Sequence, residues 1–470
     1  MTIRKPNPNA ILVIIICSYM MILLDTSIVI TGIPHIQADL GLGATALSWV
    51  QSIYTLFFGG FLLLGARIGD RLGGQQALRT GLVIFMIMSL AIALAKTAAW
   101  LLIARAGQGI GAAIIAPAAL TLLATNFEQG EARNRAVAWY GSTAGIGAAL
   151  GLVLGGWLAD AVSWRAGFLL NLPVGALMLV ASSRYLRKDK PAAGHLDSLG
   201  AILSTMGIGS LIFGVSQTAE TGWTSTVTLT SLAAGTLLIA VFIWHEARTR
   251  SPLVPLHLFC HRRRMGAYIA RFLFLGPMVG FFFFGSQFMQ GVLGYSSMQA
   301  GLGFMPMTAC AFAAPFIGPR LIRRFGDDAV MIGGLLTIFF GMAWLSFIDA
   351  GASYWASIAL PMVLIGTGQG FSLAPMTAVG ISDTTREEAG AASGLVNVAH
   401  QVGASFGLGL LASIATAAGQ GHASTTEALV AGTRAVFTFG SGMLLLAAIV
   451  GGLLIRRRKS AIATDAAVGI

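Results

Sequence analysis

Apolar runs of about 20 residues recur along the whole chain, separated by short loops rich in arginine. This pattern restricts the chain to one broad kind of structure. In hydrocarbon every backbone N–H and C=O must be satisfied internally, so runs of this length fold as helices that cross a membrane and pack side by side. Roughly fourteen runs are present, near 10–33, 46–66, 77–96, 98–125, 136–159, 167–186, 198–217, 226–245, 267–289, 299–319, 329–348, 354–378, 391–417 and 433–455, with boundaries good to about four residues. The expected fold class is an all-α membrane protein.

Composition agrees. Of 470 residues, 56% are hydrophobic and 10% charged, against about 25% charged in a soluble domain. A soluble core with one anchor is excluded. The net charge of +11 would suit nucleic acid, but the basic residues sit in loops between apolar runs, so the partner they imply is the lipid bilayer and no nucleic acid is expected. Cys17, Cys260 and Cys310 lie too far apart for a metal or disulfide pattern, and no metal is expected. Arg4 and Lys5 precede the first run as in a signal peptide. That run is too long and lacks a small-x-small cleavage site, so it reads as an uncleaved first span.

Loop charge orients the chain. With the N-terminus inside, Arg67, Arg71, Arg79, Arg133, Arg135, Arg184, Arg187, Arg248, Arg262, Arg263, Arg264, Arg320, Arg323, Arg324, Arg386 and Arg456 fall inside, and only Lys96, Arg165 and Arg434 fall outside. So lopsided a split predicts two cytoplasmic termini and an even number of spans.

The chain also repeats itself. Gly65-Ala-Arg-Ile-Gly-Asp-Arg-Leu-Gly73 precedes the third run, and Gly318-Pro-Arg-Leu-Ile-Arg-Arg-Phe-Gly326 precedes the eleventh. Gly107-Gln-Gly109 in the fourth run echoes Gly368-Gln-Gly370 in the twelfth. Two six-helix halves with two helices inserted between them fit these offsets, and parallel repeats around a midplane site are typical of transporters. The expected division is 1–190, 191–250 and 251–470.

Within the first run lies one carboxylate, Asp25. A charge at that depth costs several kcal/mol and marks a functional site. Asp25 stands about 12 Å from the outer end of its helix and Arg105 about 9 Å from the outer end of the fourth, so the two charges share a depth and can pair. Asp25 is the candidate proton carrier and Arg105 its modulator; the competing reading is a static ion pair that orients two helices.

Asn397, His400 and Gln401 follow Ser393 at helical spacing and share a face that looks into the bundle. His400 is either a second proton site or a neutral, hydrogen-bonded histidine. Phe281–Phe284 encircle the ninth helix, so Phe281 or Phe284, with Gln287, can face a cavity where aromatic rings hold flat cations. Arg271 is read as snorkelling to the interface, and Trp164-Arg165 as an interfacial anchor.

Taken together, several motifs resemble the fourteen-span drug:proton antiporters of the major facilitator superfamily. They are Gly65-x-x-x-x-Asp70-Arg71-x-Gly73, Arg105-x-x-Gln108-Gly109, Gly147-x-x-x-Gly151-x-x-x-Gly155-Gly156, Trp164-Arg165, Asp197-x-x-Gly200 and Pro252-Leu-x-Pro255. The likeness covers roughly Ala10 to Ile455. It implies the major facilitator fold, a gating loop at Gly65, Asp70, Arg71 and Gly73, and an antiporter helix at Gly147, Gly151, Gly155 and Gly156. It also implies a cavity lined by Asp25, Gln108, Phe281, Phe284, Gln287, Asn397 and Gln401. Leu152 stands where the family usually has proline, and Gly74-Gln75-Gln76 where its gating loop is usually basic.

The function implied is export of cationic or amphipathic toxic compounds in exchange for protons, across a bacterial inner membrane. The alternative is proton-coupled export or import of an endogenous metabolite, lipid or siderophore-like compound. No cofactor is expected: there is no phosphate-binding Gly-x-x-x-x-Gly-Lys-Ser/Thr loop, and the proton gradient is the energy source. The isolated Asp and His exclude the clustered chemistry of an enzyme. The reading leaves room for a periplasmic adaptor.

Overall fold

The computed structural model describes residues 8–42, 44–127, 131–186, 197–249, 252–382, 384 and 389–455, and every regular element among them is helical. Among the described residues twelve helices are long and apolar enough to cross a membrane, or thirteen if the bent pair Ser297–Ala314 and Phe316–Phe325 makes one span. Two places account for the difference from the expected fourteen. One is that bend of 56°. The other is α5 (Glu131–Ala161), where only Leu150–Ala161 counts as an apolar helix among the described residues although the sequence carries no charge from Ala136 to Ala159.

The first helical group comprises α1 (Pro8–Leu40), α2 (Ala44–Leu72), α3 (Gly74–Ala93), α4 (Ala98–Asn126), α5, α6 (Trp164–Leu169) and α7 (Asn171–Tyr185). A pair follows, α8 (Ser198–Thr221) and α9 (Thr226–Glu246). The second group comprises α10 (Arg262–Gly291), α11 (Ser297–Gly303), α12 (Met305–Phe325), α13 (Asp327–Leu345), α14 (Leu360–Gly380), α15 (Ala389–Gly419) and α16 (Thr425–Val450). Helix starts carry the side chains that satisfy free N–H groups there. Thr97, Ser163, Asp197, Ser225 and Ser424 each accept a backbone N–H at the head of their helix, and Ser296 with Gln299 forms a reciprocal capping box for α11.

The sequence repeat has a geometric counterpart. Gly73 joins α2 to α3 with φ 82°, and Gly326 joins α12 to α13 with φ 85°, a region that disfavours any side chain. Gly107 meets Met88 of α3 and Gly368 meets Ile338 of α13, while Gly109 lies on the backbone of α2 and Gly370 on α12. Each glycine pair thus packs one helix against two neighbours in the same relation.

Close approach also explains the glycines of α5. A Cβ on Gly147 would lie 2.9 Å from Leu23, one on Gly151 would lie 2.6 Å from Ser27, and one on Gly155 would lie 2.6 Å from the Ile28 backbone. The three line one face, spaced by four residues, and let α5 lie directly on α1 beside Asp25. Gly156 turns away and meets the backbone of Ser297 and Met298 in α11. Leu152 is fully buried, and its carbonyl lies under Gly301. With no proline at 152, α5 continues without a break to Ala161. The Asp160 carboxylate accepts from the Met298 N–H at 2.9 Å and lies 3.6 Å from His35, whose other ring nitrogen faces Ser297. This seam joins the two groups at the C-terminal ends of α1 and α5.

The pair α8–α9 bridges the groups elsewhere, since α8 packs on both α2 and α15. Thr205 donates to the Gly60 carbonyl of α2 at 2.8 Å, and Gly409 of α15 lies on Ser216 of α8. The chain leaving α9 is held at both sides: Glu246 accepts from the Val254 N–H at 2.8 Å, and Arg67 of α2 donates to the carbonyls of Pro252 and Leu253.

Gly151→Leu should lower the thermal unfolding midpoint of the detergent-purified protein, an overpacking cost of about 1–3 kcal/mol. Gly209→Ala, where an added Cβ meets nothing within 4 Å, should leave it unchanged.

Candidate functional site

Asp25 sits in the middle of α1 with its side chain turned into the first group, 1% exposed. Three donors from two other helices converge on its carboxylate. Arg105 Nη1 donates to Oδ2 at 2.6 Å, while Gln108 Nε2 and Asn171 Nδ2 donate to Oδ1 at 2.8 and 2.9 Å. An ionised carboxylate only accepts, and this all-donor shell matches it. Arg105 and Gln108 project together because they lie one helical turn apart on α4, and Arg105 Nη1 also donates to Gln108 Oε1 at 2.6 Å. Ser89 of α3 receives Gln108 and Asn171 at 2.8 and 3.1 Å and fixes both amides.

Arg105 is wholly buried. Its Nε donates to the Val50 carbonyl at 3.2 Å, and its guanidinium lies over the Tyr54 ring at 4.2 Å. Nη2 has no hydrogen-bond partner, so the aromatic face takes that edge. A buried pair is tolerated only when such further contacts offset the desolvation of both ions. The cluster holds an ion pair in a dry interior.

The structure therefore brings Asp25, Arg105 and Gln108 together. Gln108 belongs to this cluster and not to an open cavity wall. Asn171, Ser89 and Tyr54 complete it. In the sequence Asn171 ends the run Trp164-Arg165-x-x-Phe168-x-x-Asn171 with no role of its own, and Ser89 and Tyr54 give no signal, because a serine or tyrosine in an apolar run is ordinary.

Other expected residues are dispersed. Phe281 packs inside the second group against Phe304 and Phe437, at ring-centre distances of 5.5 and 6.2 Å. Phe284 packs against Phe283 and is also buried, and Gln287 is half-buried on the same helix. On α15, Asn397, His400 and Gln401 are half-buried, and Gln401 faces Gly59 of α2; the Ser393 side chain lies outside the described residues. At the gating loop, Gly65 lies on the backbone of Ala113 in α4, Arg71 is exposed and Gly73 takes positive φ. The Asp70 backbone ends α2, and its side chain lies outside the described residues.

Two sequence readings are corrected. Arg271 does not snorkel. The helix α10 begins at Arg262, so Arg271 lies nine residues, about 14 Å, along it. Its side chain is 8% exposed and turns inward, where Nη1 donates to Thr377 at 2.7 Å and Nη2 to His400 Nδ1 at 3.1 Å. Because a guanidinium only donates, His400 Nδ1 must accept, and the ring is the neutral imidazole with its proton on Nε2. This geometry favours the hydrogen-bonded reading of His400. Trp164 is not an interfacial anchor either. It is 4% exposed, donates to Asp39 at 3.2 Å and is covered by Arg165, which also binds Asp39 and the Ala95 carbonyl. A short α6 start pulls the pair inward to tie three loops.

A charge cluster buried within one of two repeated helical groups defines a membrane transporter, and comparison with known proteins gives its family. Residues 15–408 match the family described as Major Facilitator Superfamily. The chain is 34% identical to the puromycin resistance protein of Streptomyces alboniger over 96% of this chain and 92% of that one. It is 37% identical to the cephamycin export protein CmcT of Amycolatopsis lactamdurans over 88% and 86%. The fold matches the crystal structure of the human organic anion transporter MFSD10 with a TM-score of 0.65 at 16% identity, covering 95% of this chain and all of that one. The chain belongs to the major facilitator superfamily and is a transporter, not an enzyme.

Asp25→Asn leaves the Arg105 charge buried without its anion and should lower stability by about 3–5 kcal/mol. Adding Arg105→Gln should recover part of that loss. Unfolding of the two single variants and the double variant in one detergent checks the cycle.

Proposed function

We propose that the protein is a secondary active exporter that exchanges protons for amphipathic, drug-like compounds by alternating access, with Asp25 as the proton carrier. The observation that carries this reading is the Asp25 cluster. Three side chains from α4 and α7 donate to one carboxylate placed at the depth of an apolar span, and Ser89 of α3 holds two of them. Protonating Asp25 removes its charge, weakens the hold of Arg105, Gln108 and Asn171, and frees α1 to move with α5. The seam of α5 against α11 is the gate that this motion opens. The sequence relatives named for puromycin resistance and cephamycin export support export of small bioactive molecules.

The same reading takes α5 and the bent α11–α12 pair as the thirteenth and fourteenth spans, with both termini in the cytoplasm of a bacterial cell. It takes the α2–α3 connection around Asp70 and Arg71 as the inner gating loop, and 1–190, 191–250 and 251–470 as the functional divisions. No cofactor enters: one inward charge at 100 mV supplies about 2.3 kcal/mol, and each pH unit adds about 1.4 kcal/mol per proton. Asp25 is already neutralised by Arg105, so it does not present a free anion to a cationic drug, and coupling runs through conformation.

Inside-out vesicles carrying an acidic interior should lose part of their pH gradient when a cephamycin, which carries a carboxylate, is added. Asp25→Asn vesicles with equal amounts of protein should show no substrate-dependent loss. Gradient collapse of wild-type size in the variant contradicts proton transfer through Asp25.

A further inference from the structure

Between the two helical groups lies a further buried charge, Arg271, and among the described residues no carboxylate pairs with it. Arg271 projects from α10 toward Thr377 of α14 and His400 of α15, both neutral. On the side of the first group α1 approaches α10 and α5 approaches α14, and these two helices carry Tyr19 and Tyr140, whose rings stack with centroids 4.4 Å apart. Among the described residues no Asp or Glu reaches its guanidinium, and its Nε is buried with no hydrogen-bond partner.

An arginine cannot shed its charge by deprotonation in a protein. An uncompensated buried charge is therefore held at a cost of several kcal/mol. Arg105 shows how this chain handles such a charge when the role is internal: it supplies Asp25. At Arg271 it supplies a hydroxyl and an imidazole that orient the fork through Nη1 and Nη2 and leave Nε buried without a partner. Nε with the second hydrogen of Nη2 is the edge on which a planar anion docks with two parallel hydrogen bonds. The stacked Tyr19 and Tyr140 rings supply an aromatic surface on the facing helices of the first group. Five helices from both groups meet here, the position in which alternating access would expose a ligand first to one side and then to the other.

We propose that Arg271 is the anion-recognition point of the substrate site, and that the exporter takes amphipathic compounds bearing a carboxylate or similar planar anion next to an aromatic or apolar body. The ligand supplies the counter-charge that the protein omits. This deepens the exporter reading and differs from the cationic substrates expected from the sequence. Tyr19 and Asp25 lie six residues apart on α1, about 9 Å along the axis and on different faces. The same helix thus carries part of that aromatic surface and the proton site, with no direct contact between substrate and proton required.

The test is equilibrium binding to the purified full chain in detergent, which needs no proton gradient, so its failure is separate from failure of coupling at Asp25. Three probes share one naphthyl-alkyl body and carry a carboxylate, its methyl ester or a trimethylammonium group. Tryptophan quenching should show the carboxylate binding at least tenfold tighter than the ester or the ammonium. Arg271→Gln should abolish that preference while leaving ester binding within about twofold, and Arg271→Lys should keep part of it. Because Arg271→Gln removes an uncompensated charge, its unfolding midpoint without ligand should equal or exceed the wild-type value, and only wild type should gain stability from the carboxylate probe. Equal binding of carboxylate and ester, no measurable carboxylate binding, or a preference that survives Arg271→Gln overturns the proposal.

Discussion

One carboxylate in a hydrocarbon-spanning helix sets the terms for the rest of the first helical group. Asp25 is stable there only because α4 delivers Arg105 and Gln108, α7 delivers Asn171, and α3 delivers Ser89 to hold the amides. Arg105 in turn needs the Tyr54 face and the Val50 carbonyl of α2. Helices α1, α2, α3, α4 and α7 are thus tied by one network and not by apolar packing alone, which in lipid gives little preference for one partner over another. Removing any member leaves its neighbours with unpaired polar groups in a dry interior, which costs more than the lost bond itself.

From this network the fold leads outward along α1. The glycines of α5 seat that helix on α1 between Leu23 and Thr31, on both sides of Asp25 in sequence. The far end of α5 then closes on α11 through Gly156, Asp160 and Met298. A shift of α1 by a fraction of a helical turn cannot be absorbed between two backbones already in contact, so α5 must follow it. In the mechanism we propose, this is the route from a proton at Asp25 to a seam between the two groups. Leu152, in place of a proline, keeps α5 a single lever along that route.

Much of this was legible in the sequence for identifiable reasons. Helices were legible because membrane spans need length and apolarity, both one-dimensional properties. The Asp25–Arg105 pair was legible because two lone charges at equal depth in a low-dielectric bundle have few alternatives. The repeat was legible because glycine spacing records close helix contacts directly. What was missed depends on the direction a side chain takes. Arg271 was assigned to the interface from its distance along the helix, and nothing in the sequence says that Thr377 and His400 wait for it on other helices. Trp164 was taken for a lipid anchor because Asp39 is 125 residues away. Phe281–Phe284 cover every side of α10, so no pattern tells which ring meets Phe304 and Phe437. The count of fourteen spans is matched by twelve long apolar helices among the described residues, with α5 and the bent α11–α12 pair at the two remaining positions.

The central claim is that protonation of Asp25 governs the α5–α11 seam. It is tested most directly by spin labels at Val162 and Met298, in protein lacking Cys17, Cys260 and Cys310, with the interlabel distance followed as a function of pH. The account predicts a short distance at high pH that gives way to a longer one as pH falls, and no pH response in Asp25→Asn. The same pH response in wild type and Asp25→Asn would contradict it and would place the sensor at the His35–Asp160 contact of the seam itself.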